Sequence, residues 1–287
     1  MHPRNIHRHQ NYNFEALLQV NPELDHFIFK NDYNTLTIDF ANPKAVIALN
    51  KAILLLHYGI TNWEIPEGFL CPPIPSRADY IHYIADLLKN ESDNISGIDI
   101  GVGANAIYSI LGAKIYQWNM VGSDINLESV KSAKKNISFT KELEDKVIII
   151  HQSDNANIFE GVIKKDRIYD FTMCNPPFHK SEKEALKGTL RKLNNLNNKQ
   201  QEKLNFGGQA NELWCNGGEA LFLKRMIKQS VDFRLNVKFF TSLVSKKENL
   251  PKLEKQLLKL NTSFKTIPME HGNKKTRIIA WSFTEKL

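Results

Sequence analysis

Ile98-Asp99-Ile100-Gly101-Val102-Gly103-Ala104 reads as a strand that runs into a glycine turn and opens a helix. Glycines at such a turn let the backbone bend sharply and come close to a ligand. Gly101, Gly103 and Ala106 meet the relaxed dinucleotide-binding spacing G-x-G-x-x-A, and Asp124, at the end of the next strand, is placed to hydrogen-bond ribose hydroxyls. This much is shared by nicotinamide enzymes and methyltransferases. Asp99 tips the balance, because a buried carboxylate two residues before the first glycine would repel a pyrophosphate. It suits a cationic ligand that carries a sulfonium and an ammonium. Asp154, in Gln152-Ser153-Asp154-Asn155, ends a further strand and is placed to reach an adenine amino group.

Outward from that turn, strands and helices alternate, which predicts a parallel sheet. Strands are expected over 97–101, 119–124, 147–152, 168–174 and 238–245, with helices over 104–111, 127–139, 220–229 and 250–260. A closing pair of strands is expected at 264–269 and 277–283. The fold class is therefore α/β, a Rossmann-like, doubly wound and mostly parallel sheet of seven strands. Ahead of it, 44–58 reads as a helix that stops at Gly59. Pro66, Pro72, Pro73 and Pro75 then suggest a linker, and 77–89 a further helix. Residues 1–70 read as a small helical, RNA-contacting region and 71–287 as the main domain. The polar stretch 180–211 is expected to be a mobile segment.

Cys174-Asn175-Pro176-Pro177-Phe178 closes the fourth strand of the sheet. Ligands of open α/β sheets bind beyond the carboxyl ends of strands, so this stretch faces the same crevice as Gly101 and Asp124. Its chemistry suits an exocyclic amine, whose nitrogen is a poor nucleophile because its lone pair is delocalised into the ring. The side-chain oxygen of Asn175 and the main-chain carbonyl of Pro176 can accept hydrogen bonds from such an NH2 group and favour a pyramidal nitrogen. Pro177 stiffens the turn, and Phe178 can stack on the base, a contact worth ~1–3 kcal/mol. Most of the catalysis would be alignment of donor methyl and acceptor lone pair.

The chain has 287 residues and a formal net charge of +7. That excess is compatible with a polyanionic partner, because lysines and arginines gain affinity by releasing phosphate counterions. Cys71, Cys174 and Cys215 form no pair at metal-ligand or disulfide spacing, and His151 and His179 lack partners, so no metal is expected. No stretch approaches the ~18–20 apolar residues of a membrane span. A cytoplasmic protein with neither leader nor membrane segment is the expectation. Arg4, His7, Arg8 and His9 lie in a polar start that reads either as a solvated tail or as an arm on RNA phosphates. Lys180, Lys183 and Lys187 read either as RNA contacts or as a solvated loop. Phe206 and Trp214 read as packing anchors or as residues that close over the site.

The two motifs together resemble class I methyltransferases of exocyclic amino groups. Pro72 to Ile81, Gly97 to Tyr108, Asp170 to Phe178, Asn216-Gly217-Gly218-Glu219 and Ile279 to Phe283 resemble the 23S ribosomal RNA adenine-N6 methyltransferases, along nearly the whole chain. The methyltransferase-16-like proteins, which act on U6 snRNA, are the eukaryotic relatives of that family. The resemblance implies S-adenosylmethionine as cofactor and N6 of one adenosine as acceptor, on 23S ribosomal RNA or a large-subunit assembly intermediate. It also implies that Arg77 pairs with the donor carboxylate and that Asn105 contacts the donor's amino-acid end. It assigns Asp124 to the ribose, where the eukaryotic relatives carry Glu. Asn175 to Phe178 match the catalytic tetrapeptide, and His2-Pro3-Arg4-Asn5 resembles a segment lining the RNA groove. The rival readings are a protein-glutamine methyltransferase, a DNA-adenine methyltransferase and an RNA-binding protein with an inactive domain.

Overall fold

The computed structural model describes residues 1–8, 12–88, 94–177, 217–271 and 274–287. Phe178, Lys180, Lys183, Lys187, Phe206, Trp214, Cys215 and the stretch 180–211 lie outside the described residues.

The N-terminal region is not purely helical. Helix α1 (Phe14–Val20) begins under Asn13, whose side chain accepts from the Ala16 amide. A 3-10 turn then leads to a short antiparallel hairpin, β1 (Ile28–Lys30) and β2 (Leu36–Ile38). Helix α2 (Pro43–Tyr58) is capped by Asn42 and stopped by Gly59 at φ 66°. Helix α3 (Ile74–Leu88) starts three residues earlier than the proline cluster suggested. Pro75 is tolerated because the first turn of a helix has no partner for its amide.

The main sheet then builds up from β3 (Ser96–Ile100), β4 (Asn119–Asp124), β5 (Val147–His151), β6 (Tyr169–Cys174), β7 (Val237–Val244), β8 (Ser263–His271) and β9 (Lys274–Ser282). Their order across the sheet is β5-β4-β3-β6-β7-β9-β8. β5 through β7 pair in parallel, while β9 runs antiparallel to both β7 and β8. Among the described residues the helices of this part are α4 (Ile107–Tyr116), α5 (Leu127–Ser138), α6 (Lys141–Glu144), α7 (Gly218–Ser230) and α8 (Leu250–Lys259). This is the Rossmann-like arrangement of class I S-adenosylmethionine-dependent methyltransferases. The edge strand β8 carries Pro268, whose missing amide is harmless away from the sheet centre.

The two faces of the sheet bury separate cores. Phe171, Met173 and Phe239 point to one face, where they join Trp118, Ile110, Ile84 and the N-terminal Phe14, Leu24 and Leu49. Ile98, Cys174 and Phe240 point to the other, with Phe159, Leu223, Leu253 and Trp281. The N-terminal helices therefore share a core with the sheet.

The first eight residues form no solvated tail. The His2 amide and the Asn5 side chain donate to Asp79 of α3 at 2.9 and 2.6 Å. Arg4 pairs with Asp86 and donates to the His82 carbonyl.

Candidate active site

Strand pairing brings the two sequence motifs together. Ile100 pairs with Ser123 on one side and with Cys174 on the other. The residues that follow, Gly101, Asp124 and Asn175, therefore leave three neighbouring strands at the same end of the sheet. The chain order reverses between β3 and β6, and it is there that an open α/β sheet leaves a crevice for ligands.

The turn after β3 is built of left-handed residues. Gly101 and Gly103 have φ of 76° and 65°, and Ala106 follows at 51°. Among the described residues nothing lies within 4 Å of where a Gly101 side chain would start. Helix α4 begins only at Ile107, three residues beyond the sequence expectation, because Ala106 cannot be helical in that conformation. Asp124 braces the turn: one carboxylate oxygen accepts from the Gly103 amide at 2.9 Å and the other from Asn126 at 2.8 Å. Burial raises the Asp124 pKa, and those backbone hydrogen bonds oppose the rise.

Asp99 is fully buried beneath the turn. The Ser109 hydroxyl donates to one of its oxygens at 3.2 Å, while the other has no hydrogen-bond partner among the described residues. Burial pushes its pKa up to about 7; the Ser109 hydrogen bond and the Arg77 charge oppose this, and the Asp124 charge adds to it. A buried acceptor with no donor is a costly feature for a fold to keep, and it fits the ammonium end of S-adenosylmethionine.

Arg77, in the first turn of α3, donates to the Tyr108 hydroxyl at 2.9 Å, with its guanidinium 5.4 Å from the ring centre. Burial raises the Tyr108 pKa to about 12, so the phenol stays neutral. This leaves the Arg77 charge available for a donor carboxylate, a pairing that guanidinium geometry favours.

Asn105 is turned into the fold. Its side-chain oxygen accepts from the Ile107 amide at 3.0 Å, and its NH2 group donates to the Leu70 carbonyl at 3.3 Å. Asp154 is exposed and holds a small turn, accepting from the Ala156 amide and the Asn157 side chain.

Asn175 leaves β6 with its side-chain oxygen buried and, among the described residues, without a hydrogen-bond partner. Pro176 beside it is buried. Arg4 lies at the far end of α3, its side chain 43% exposed and already paired with Asp86. Tyr108 and Ser109 were not foreseen. Each sits in α4 with no spacing signal to tie it to Arg77 or Asp99, and only the packing of α4 on α3 and β3 reveals them.

Among the described residues no group of three His, Cys, Asp or Glu side chains could hold a metal, and no helix is long and apolar enough to cross a membrane.

A seven-stranded sheet with a glycine turn at its switch point, a buried acidic residue below it and Asn-Pro-Pro beside it defines a class I methyltransferase that uses S-adenosylmethionine. Residues 1–285 match the family described as RNA methyltransferase, and the chain belongs to that family. It is 59% identical over 285 residues to ribosomal RNA large subunit methyltransferase F of Christiangramia forsetii, covering 99% of this chain and 100% of the relative. Its identity to the protein of the same name from Flavobacterium johnsoniae is 50%, over 99% of this chain and 93% of the relative. Among solved structures, the hMettl16 catalytic domain in complex with the MAT2A 3′UTR hairpin 1 superposes with a TM-score of 0.85 at 28% identity. That match covers 99% of this chain and 96% of the other. The N-terminal domain of human METTL16 in complex with SAH gives a TM-score of 0.81 at 26% identity, covering 99% of both chains.

Proposed function

We propose that this enzyme transfers a methyl group from S-adenosylmethionine to N6 of one adenosine in 23S ribosomal RNA, free or within a large-subunit assembly intermediate, in the cytoplasm. The observation that carries the reading is the side-chain oxygen of Asn175 at the switch point, buried and without a hydrogen-bond partner among the described residues. Such an acceptor is costly unless a ligand donor completes it, and an adenine N6 amine is a donor of the right kind. The large-subunit substrate rests on what the relatives are named for.

Arg77 holds the donor carboxylate, Asp99 its ammonium and Asp124 its ribose, with Gly101 and Gly103 giving close backbone approach. Asn105 shapes the amino-acid end of that site by fixing the start of α4, and Asp154 lies by the donor adenine. When bound, S-adenosylmethionine supplies a methyl group made electrophilic by its sulfonium. Asn175 and the Pro176 carbonyl accept from the two N6 hydrogens and turn the nitrogen lone pair toward that methyl. Pro177 keeps the carbonyl rigid, and Phe178 stacks on the base. The nitrogen attacks as a neutral amine, its bond to the methyl forming as the methyl–sulfur bond breaks, and the resulting cationic amine then loses a proton to water. Alignment supplies most of the rate, and no charged base is required in the attack. Arg4, Lys180 and Lys183 contact RNA phosphates. The target adenosine must leave its stack to enter, which is cheapest in looped or single-stranded RNA.

The test is methyl transfer from radiolabelled S-adenosylmethionine to 23S RNA, followed by digestion to nucleosides. Label in N6-methyladenosine that disappears with Asn175→Ala supports the reading. Label in DNA, or in a glutamine side chain, would replace the RNA-adenine assignment with one of the rivals.

A further inference from the structure

The donor-binding turn is held from outside its own motif. Asn136 lies in the last turn of α5 and is 1% exposed. Its NH2 group donates to the Ala104 carbonyl at 3.1 Å and to the Glu64 carbonyl at 2.8 Å, and its oxygen accepts from the Glu64 amide at 2.8 Å. The neighbouring residue Trp63, also 1% exposed, donates its indole N–H to the Asn105 carbonyl at 2.9 Å. Two consecutive carbonyls of the turn, those of Ala104 and Asn105, are thus pinned by side chains from α5 and from the segment that links α2 to α3. Just beyond them Ala106 sits at φ 51°, where an L-residue with a Cβ is strained. A strained residue persists only where its surroundings over-determine it, and these two hydrogen bonds do so here.

We infer that Asn136 and Trp63 are positioning residues that hold the donor-binding turn in its strained shape and fasten it to the N-terminal region. The inference rests on the assignment of this turn to the donor. Neither residue touches the donor. Both act through the carbonyls of Ala104 and Asn105, which set the path of the turn into the start of α4. The same contacts fasten the linker after α2 to the back of the donor turn.

The test uses the full chain in three variants. Asn136→Asp is isosteric and sets an oxygen against two carbonyls. Trp63→Phe keeps a ring and removes the indole donor. Asn136→Asp combined with Ala106→Gly relieves the strain that Asn136 holds. Binding of S-adenosylhomocysteine is followed by calorimetry and binding of RNA separately, with cooperative unfolding checked for each variant. Trp63→Phe is expected to raise the dissociation constant of the donor product about tenfold, the order expected for one lost buried hydrogen bond, and Asn136→Asp, which loses two, by at least as much. RNA affinity should stay within about twofold of wild type, since no hydrogen-bonded partner of either residue is an RNA contact. Ala106→Gly should recover part of the loss, because glycine adopts the left-handed conformation without strain. A merely structural role predicts instead that the unfolding midpoint falls while the donor dissociation constant of the folded variants stays at the wild-type value. Unchanged binding in a folded variant, or no recovery with glycine at 106, would overturn the inference. If Asn136→Asp fails to fold, Trp63→Phe alone decides. Failure of the wild-type chain to bind S-adenosylhomocysteine would instead sink the donor assignment.

Discussion

Replacing Asp99 by asparagine should make the protein more stable while weakening its grip on the donor. The carboxyl is fully buried, one of its oxygens has no partner among the described residues, and its pKa is pushed from 3.8 to about 7. Between those two values the folded chain keeps a proton that the unfolded chain releases. Stability therefore falls as pH rises from about 4 to about 7 and levels off above that, by the linkage relation. At about 1.4 kcal/mol per pH unit, the ionised carboxylate costs about 4 kcal/mol at pH 8. Asparagine has the same shape and no charge, and it can still accept from Ser109. Asp99→Asn should thus exceed wild type by up to about 4 kcal/mol at pH 8, the gap narrowing to less than about 2 kcal/mol at pH 5. Urea unfolding of both proteins at the two pH values measures the gap, and the difference between them cancels every other titrating group that is unchanged. A gap that does not widen with pH would refute the claim that Asp99 carries a buried charge. Donor affinity should move the other way, since a neutral amide loses its attraction for an ammonium.

The same logic applies to Asn175. Asn175→Leu removes a buried acceptor that has no partner among the described residues, so the melting temperature should hold or rise while kcat falls about 100- to 1000-fold, the range for losing one preorganised transition-state hydrogen bond; a drop in stability with kcat intact would contradict it. Arg77→Lys keeps the charge but not the fork that reaches Tyr108 at 2.9 Å, so donor affinity should fall about tenfold with RNA affinity unmoved, as calorimetry would report. Asp79 accepts from both His2 and Asn5. Asp79→Ala should therefore cost roughly 2–4 kcal/mol in unfolding and release residues 1–8 to rapid hydrogen exchange; slow exchange at those amides would show that other contacts suffice.

The seven strands and their mostly parallel arrangement followed from local pattern, because strands alternating with helices are the signature of a parallel sheet, whereas their order across the sheet came from the structure. The strands were legible to within one or two residues in the central β3, β4 and β6, whose apolar runs are bounded by turn residues on both sides. The short β1 and β2 escaped notice because a three-residue strand carries too little alternation to stand out. The docking of residues 1–8 was equally hidden, since its partners Asp79 and Asp86 lie more than 70 positions away.

By itself, the sequence determined the sheet, the turn Gly101–Gly103, Asp99 beneath it and the Asn175-Pro176-Pro177 corner. Each is a local feature, set by glycine's freedom, proline's rigidity and the period of apolar residues. Only the tertiary structure decided which groups complete one another: Arg77 with Tyr108, Ser109 with half of Asp99, Asn136 and Trp63 with the carbonyls of the turn. Those pairings depend on how helices pack across the sheet. It also decided which polar atoms were left without a partner among the described residues, and two of these, one on Asp99 and one on Asn175, lie at the switch point of the sheet. A buried acceptor without a donor cannot be read from spacing, because it is defined by everything that fails to reach it.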